Sequence, residues 1–430
     1  MAICYSAKFK KMNLSGKVLI EKEGEVVFDR KYLRLKGKGA NDHGLIVNFT
    51  EIKEVKANKD NFIFSTFAKE IFELSRFGGA MENFLEDFYR IRNDFFAENL
   101  FMKEGMLLRE FDCSIEIFNS FGKSLNVGKT QLQFYEESMV FIPKTSDVFM
   151  VNLNFMKHHT FNEDTYQLEI ETDSGTKIFV SKLGSSFEEA KECLEGCLEK
   201  MYQQVLNQLN QVITGFSLPV LLKLAYAIKS GKAVSIAALK KIDPTLPAKV
   251  LELAFQNNSE LEKKVQFLRS LDKDEKLFIG FSLKNSADGR DVIVRAWFLM
   301  ALPNMNTIAL GISNDPDREK RVFFFRIVME QGIPVDKLEG KALEINQCMV
   351  LFDYDLSPLL KDKNELRKTK YRVAILRMAF LRLFRKSMLG YSQSFDLEKF
   401  KDDANRFFAQ ASMMKKPVLR HKQLFKPTLK

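Results

Sequence analysis

The chain has 430 residues, of which 46% are hydrophobic and 28% charged, with a net charge of +10; at roughly 100–200 residues per domain this argues for two or three cores rather than one. Lysines appear by Lys8, ahead of any apolar core a signal peptide would need, and Arg377 and Arg382 interrupt the most apolar helical stretch, so neither secretion nor a transmembrane segment is expected. Five scattered cysteines, Cys4, Cys113, Cys193, Cys197 and Cys348, argue against a disulfide framework and for a reducing, cytoplasmic setting.

The first region reads as short strands at 18–21, 25–28, 32–36, 45–48, 52–56, 62–65 and 70–75, broken at Gly24, at Gly37 to Gly39 and at Asn41-Asp42-His43-Gly44. The period then changes. Met81, Phe84, Leu85, Phe88, Ile91, Phe95 and Phe96 recur at spacings of three and four, the stripe of an amphipathic helix closing a sheet of about seven strands.

The same order returns about 106 residues later. Runs at 114–118, 130–134, 139–142, 148–153, 166–171 and 177–181 lead into a helical pattern from Phe187 to about Leu206. Ile71-Phe72 before Phe77-Gly78 corresponds to Ile178-Phe179 before Leu183-Gly184, with Glu82 and Glu188 following. This predicts a tandem duplication.

Ser15 to Gly24, followed by Lys31-Tyr32-Leu33-Arg34-Leu35-Lys36-Gly37, resembles the opening strands of pleckstrin-homology and GRAM-like domains. That resemblance implies a seven-stranded curved sheet capped by a C-terminal helix in each copy, over roughly residues 14–208. It also raises lipid-headgroup binding, which in that family uses basic residues between the first two strands. Here that place reads Glu21-Lys22-Glu23-Gly24-Glu25, whose net negative charge repels a phosphoinositide.

A helical connector follows, with Ser217-Pro219 and Ser235 as starts, a break at Asp243 to Pro247, and a capping box of Ser259 with Glu262. As a helix-turn-helix it fails, because residues 246–255 offer only Lys249 for reading bases. Strands are then predicted at 277–283, 292–300, 307–312 and 322–328, with a further strand at 348–354 before a long helix over 364–388. On a helical wheel Val373, Leu376, Phe380, Leu383 and Phe384 cluster on one side, and Lys368, Lys370, Arg377, Arg382, Arg385 and Lys386 spread over the rest. Such a helix suits an anionic membrane, a partner's groove or a phosphate backbone; its bland use is to pack on the third sheet with its arginines in water. The end carries Lys415, Lys416, Arg420 and Lys422 in a flexible basic tail. From Lys361 onward about 19 Lys and Arg stand against 6 Asp and Glu, so the basic character belongs to this C-terminal part.

Catalytic chemistry is thin. Gly122 to Thr130 resembles a phosphate loop, but five residues separate its glycines and a strand-like run follows, so a hairpin turn is expected. His158-His159 reads as a turn between strands. Cys193 and Cys197 share one face of the second capping helix as small core residues. No catalytic, cofactor or metal site is assigned. The predicted fold class is α+β: two tandem pleckstrin-like antiparallel sheets each capped by a C-terminal helix (1–104 and 105–210), a helical connector (211–272), a third sheet-plus-long-helix domain (273–412) and the basic tail (413–430). The expected role is a non-catalytic adaptor or scaffold for protein partners. The alternatives are a nucleic-acid or chromatin-associated factor using the basic C-terminal region, and a peripheral membrane protein binding anionic lipid.

Overall fold

A computed structural model of the protein describes residues 3–39, 42–103, 105–118, 122, 124–229, 231–256, 258–272, 276–285, 292–313, 321–327, 335–352, 354, 356–361, 365, 371–377 and 379–413. The class is α+β, in two compact units: Met1–Met201 with Lys361–Arg382, and Tyr202–Leu360 with Leu383–Lys430.

In the first unit, β1 (Ile3–Met12), β2 (Val18–Phe28), β3 (Tyr32–Gly37), β4 (Leu45–Asn48), β5 (Ile52–Ala57), β6 (Asn61–Thr66) and β7 (Ile71–Ser75) form an antiparallel sheet in the order β4-β3-β2-β1-β7-β6-β5. Alternation puts Leu33, Leu35, Phe62, Phe64, Phe72 and Leu74 on the buried face. A 3-10 turn, Gly78–Ala80, leads into α1 (Met81–Asn99). Phe84 and Phe88 of α1 meet Phe62 with ring centroids 5.0 and 4.7 Å away, so much of the chain's phenylalanine is core filling.

Two details differ from the sequence expectation. Strand β1 was not expected, because only Ala7 and Phe9 among its ten residues are buried. The expected strands at 18–21 and 25–28 are one strand running through Gly24, where a Cβ would collide with the backbone carbonyl of Lys36 on β3. That glycine marks close approach of two backbones rather than a break.

The second sheet repeats the first. β8 (Leu107–Phe118), β9 (Ser124–Tyr135), β10 (Ser138–Pro143), β11 (Phe149–Asn152), β12 (Met156–Asn162), β13 (Gln167–Thr172) and β14 (Lys177–Ser181) take the equivalent order β11-β10-β9-β8-β14-β13-β12, before a 3-10 turn at Gly184–Ser186 and α2 (Phe187–Val212). A shift of 106 residues carries Gly78 onto Gly184 and Met81 onto Phe187. It also carries Arg76 (φ 62°) onto Lys182 (φ 60°) and Lys69 (φ 66°) onto Gly175 (φ 77°). By the same shift Phe72 corresponds to Ile178 and Leu74 to Val180, all buried, one residue away from the pairing of Phe72 with Phe179 read from sequence. His158-His159 lies within edge strand β12, opposite Glu171 and Ile170, not in a turn. Within the stretch Gly122 to Thr130, residues 124–130 lie in β9, with Gly128 at positive φ beside a register shift.

In the second unit, β15 (Val234–Ser235), β16 (Lys276–Asn285), β17 (Val292–Leu302), β18 (Thr307–Ser313), β19 (Val322–Arg326) and β20 (Met388–Ser392) form an antiparallel meander in chain order. One face joins a single core with the C-terminal part of α2, with α3 (Leu218–Ile228), α4 (Ile236–Ile242), α5 (Leu246–Phe255) and α6 (Ser259–Ser270), and with a C-terminal helix at Leu397–Met413. The connector helices therefore share the third sheet's core. Ser235 caps α4 by accepting from the Ala238 amide at 3.1 Å, whereas α6 is capped by Asn258, one residue before the serine expected to do so.

The strand expected at 348–354 is overturned. Cys348 lies in α7 (Val335–Leu351), where Ala342, Ile345 and Met349 recur at helical spacing and are buried, as is Phe352 just beyond its end. After α8 (Ser357–Leu360), the helix expected over 364–388 is helical where described, at α9 (Arg372–Arg377) and α10 (Ala379–Ser387), with 364, 366–370 and 378 outside the described residues and Met388 already in β20; the helix Leu397–Met413 is α11. Of the described residues in this stretch, Ala374, Ile375, Leu381 and Phe384 are buried and Val373 is half-buried. Among the described residues no helix is long and apolar enough to cross a membrane.

Candidate functional site

Helix α1 turns its phenylalanines onto the first sheet, yet Arg92 and Asn93 are also buried in it. Their partners belong to the second repeat. Arg92 Nε and Nη2 donate to the two carboxylate oxygens of Asp147 at 2.6 and 2.9 Å, and its guanidinium lies over the Phe88 and Phe96 rings at 5.6 and 4.8 Å. The fork matches a carboxylate's geometry. Asn93 donates to the carbonyls of Pro143 and Ser146 at 2.9 and 3.0 Å and accepts from the Val148 amide at 2.9 Å. One side chain thus satisfies three backbone groups, at the end of β10 and in the loop that leads to β11. Sequence reading missed this joint. Its signal was a charged residue one turn beyond Phe88, inside an otherwise aromatic stripe.

Beside the joint lies a cleft of about 580 Å³ with Glu86, Asp87 and Arg90 of α1 on one wall and Asp112, Lys129 and Lys182 of the second repeat on the other. Asp87 accepts from Arg90 and from the Tyr5 hydroxyl, both at 2.7 Å. Burial pulls the Asp87 carboxyl upward, but these two hydrogen bonds outweigh it and hold the group below the ordinary carboxylate range. Burial, together with the same carboxylate, pushes Tyr5 up to about 12. Cys113 donates to the Thr130 carbonyl at 3.4 Å, and burial, with Asp112 adding to it, pushes its thiol up to about 12, so it is a poor nucleophile. Lys144 pairs with Glu86 at 3.6 Å. Lys129 and Lys182 make no ion pair among the described residues, so the cleft keeps two available ammonium groups beside the carboxylates of Glu86, Asp87 and Asp112.

Of the basic residues singled out from sequence, only Arg385 and Lys386 have described side chains. Arg385 Nε donates to the Leu359 carbonyl at 3.1 Å, a structural use, and Lys386 is exposed. Arg377 and Arg382 lie in α9 and α10, with side chains outside the described residues. Lys368, Lys370, Lys415, Lys416, Arg420 and Lys422 also fall outside them. Helix α9 belongs with the first unit, where neighbouring Tyr371 meets Phe101 at 5.5 Å between ring centroids; in the second unit Phe384 of α10 stacks on Phe325 at 4.6 Å.

The segment Glu21-Lys22-Glu23-Gly24-Glu25 is inside β2, not between the first two strands. The β1–β2 turn is instead at residues 13–17, where Asn13 Oδ1 accepts from the amides of Ser15 and Lys17 at 3.1 and 3.0 Å. Leu14, Val18 and Leu19 are exposed there. The lysines of β1 are already engaged: Lys8 with Glu21, Lys10 with Glu73 and Lys11 with Glu70.

Among the described residues no three His, Cys, Asp or Glu side chains converge as a metal site. Cys197 is buried and Cys193 half-buried, both on α2. No protein-family model matches the chain, and no curated protein matches it.

Proposed function

We propose that the chain is a non-catalytic adaptor whose two sheet-and-helix repeats, read as pleckstrin-homology-like modules, hold a protein partner in the cleft at their joint. The observation that carries this reading is the Arg92–Asp147 fork together with the three hydrogen bonds of Asn93. They tie α1 to the loop beside the cleft, so its two walls meet a partner without a large ordering cost. Lys129 and Lys182 favour an acidic segment of that partner, and the carboxylates of Glu86, Asp87 and Asp112 set its register by repelling misplaced acids. The five free cysteines accord with a cytoplasmic setting.

The test is an affinity pull-down of the tagged full-length chain from its own organism's lysate, with and without nuclease, beside the Lys129→Glu/Lys182→Glu variant. A defined set of proteins that survives nuclease and is lost by the variant supports the reading. Recovery unchanged in the variant removes the cleft from it. Recovery that vanishes with nuclease replaces it with nucleic-acid binding through the basic C-terminal region.

A second reading, contact with an anionic membrane, is favoured by the exposed Leu14, Val18 and Leu19 at one hairpin. Sedimentation with anionic but not neutral vesicles, lost in Leu14→Ser, would establish it.

A further inference from the structure

The 106-residue shift that relates the two repeats also relates three concave surfaces. The cleft beside the joint takes Glu86, Asp87 and Arg90 from α1 and Lys129, Pro143 and Lys144 from the second repeat. Moved forward by the shift, the helix residues become Glu192, Cys193 and Gly196, which line a groove of about 540 Å³ on α2. Moved back by the shift, the sheet residues become Glu23, Gly37 and Lys38, which line a corner of the first sheet with a volume of about 520 Å³. Hydrogen bonding supports the second correspondence: the Lys144 amide donates to the Lys129 carbonyl at 3.0 Å, and the Lys38 amide to the Glu23 carbonyl at 3.2 Å. Each repeat thus carries both halves of the joint. Helix α1 meets the second sheet's corner, whereas Glu192 and Gly196 on α2 and Lys38 at the first sheet's corner are exposed.

The two open halves fit each other in charge and in shape. In the closed joint Lys144 pairs with Glu86 at 3.6 Å, and the open halves carry the same two charges as Lys38 and Glu192. Glu192 makes no ion pair among the described residues, and Lys38, with a side chain 76% exposed, lies 3.4 Å from Glu23. The α2 groove sets Glu136, Glu189 and Glu192 against Arg109 and Lys200, a surplus of one carboxylate. At the corner Lys22 binds Asp42 while Lys38 and Arg76 share Glu23, a surplus of one cation. The β3–β4 loop, residues 38–44, is two residues longer than the 144–148 loop of the second repeat. The α2 face is cut back to match, with Cys193 and Gly196 in place of Asp87 and Arg90. A Cβ on Gly196 would meet no atom within 4 Å, so packing inside the chain does not call for glycine there, whereas close approach of another backbone would use it.

We propose that the α2 groove of one copy receives the β3–β4 corner of a second copy, so that chains associate head to tail with Glu192 facing Lys38 of the next copy. The contact is heterologous, and each added copy presents a further groove or corner. It lacks the polar anchors of the internal joint. Leu198 and Glu199 stand on α2 where α1 has Arg92 and Asn93, and Asp42 closes the longer loop from within by accepting from the Gly37 and Gly44 amides at 3.0 and 2.9 Å. Without a buried fork between copies, association is reversible and depends on concentration.

The experiment is sedimentation velocity of the purified full-length chain over a range of concentrations up to its solubility limit. The weight-average mass is expected to rise above that of one chain as concentration increases. Glu192→Lys and Lys38→Glu each set like charges across the contact and are expected to raise the concentration needed for association by roughly tenfold. The double variant Glu192→Lys/Lys38→Glu restores opposite charges and is expected to regain association. Should Lys38→Glu, beside Glu23, fail to fold by circular dichroism, Glu192→Lys at its exposed helix position decides alone. A wild type that stays a single chain throughout overturns the proposal. Association that the single reversals leave unchanged also overturns it, and assigns self-contact to another surface such as the exposed Leu14, Val18 and Leu19. A folded double variant that associates no better than the single ones overturns it as well.

Discussion

Arg92 and Asp147 form an ion pair that is buried at one end only: the guanidinium side chain is 1% exposed and the carboxylate 45%. Arg92 lies between Phe88 and Phe96, and its Nη1 has no hydrogen-bond partner among the described residues. The two members of the pair are therefore not equivalent.

Removing Asp147 strands a desolvated cation, whereas removing Arg92 returns a carboxylate to water. Asp147→Ala is expected to cost roughly 3 kcal/mol. Arg92→Met, which keeps the packing, is expected to cost about 1 kcal/mol, discounted because half the pair already faces solvent. Urea unfolding followed by circular dichroism measures both. Equal losses would refute the asymmetry.

Gly24 and Gly196 make opposite predictions. A Cβ at Gly24 meets the Lys36 backbone, so Gly24→Ala is expected to destabilise by roughly 1–3 kcal/mol. A Cβ at Gly196 meets nothing within 4 Å, so Gly196→Ala is expected to stabilise by about 0.5–1 kcal/mol through helix propensity and a less flexible unfolded chain. Melting temperatures should move in opposite directions.

Trp297, the only tryptophan, donates from Nε1 to Asn346 Oδ1 at 2.7 Å, and Asn346 donates to the Gly231 carbonyl at 2.8 Å. Asn346→Leu leaves a buried donor and a buried acceptor unsatisfied, at a cost of roughly 2–4 kcal/mol. Intrinsic fluorescence checks it directly: the unfolding midpoint monitored at Trp297 should fall, with a wild-type midpoint sinking the network's assigned role.

At the alkaline end, Tyr5 and Tyr89 are both pushed up to about 12, chiefly by burial. Their folded-state values exceed the unfolded one near 10, so the folded protein binds more protons in that window and stability falls as pH rises from about 10 to 12. Phenolate absorbance should place Tyr5 and Tyr89 among the late-titrating tyrosines. Tyr89→Phe should flatten part of the loss.

Asp42 has the reverse sign. A hydrogen bond from Lys22, helped by the Gly44 and Gly37 amides, lowers it to about 2. Its contribution is present above the unfolded value near 4 and is lost as pH falls from there to about 2. Asp42→Asn should remove that part of the acid dependence, which comparison of acid unfolding curves would read.

The periodic elements were legible in the sequence because they are local. Alternation in β3, β6 and β7 and the three-and-four spacing of Phe84 and Phe88 follow from how each segment buries one face. The return of the pattern after 106 residues needed only comparison of the chain with itself. Where a segment's environment departs from one buried face, the pattern misled. Edge strand β12 has mainly exposed side chains, β1 buries two residues, and the apolar run at Cys348 has a helical spacing easily mistaken for a strand.

Composition and periodicity by themselves determined the α+β class, the two sheet-and-helix repeats and most strands of the third sheet, since these depend on neighbours a few residues apart. Only the tertiary structure decided that Gly24 faces a backbone across a strand pair, that Arg385 serves the Leu359 carbonyl, and that Arg92 and Asn93 reach a loop 50 to 55 residues onward. Such pairings join positions whose separation along the chain says nothing about their distance in space. They are set by how completed sheets and helices pack, after local preference has been spent.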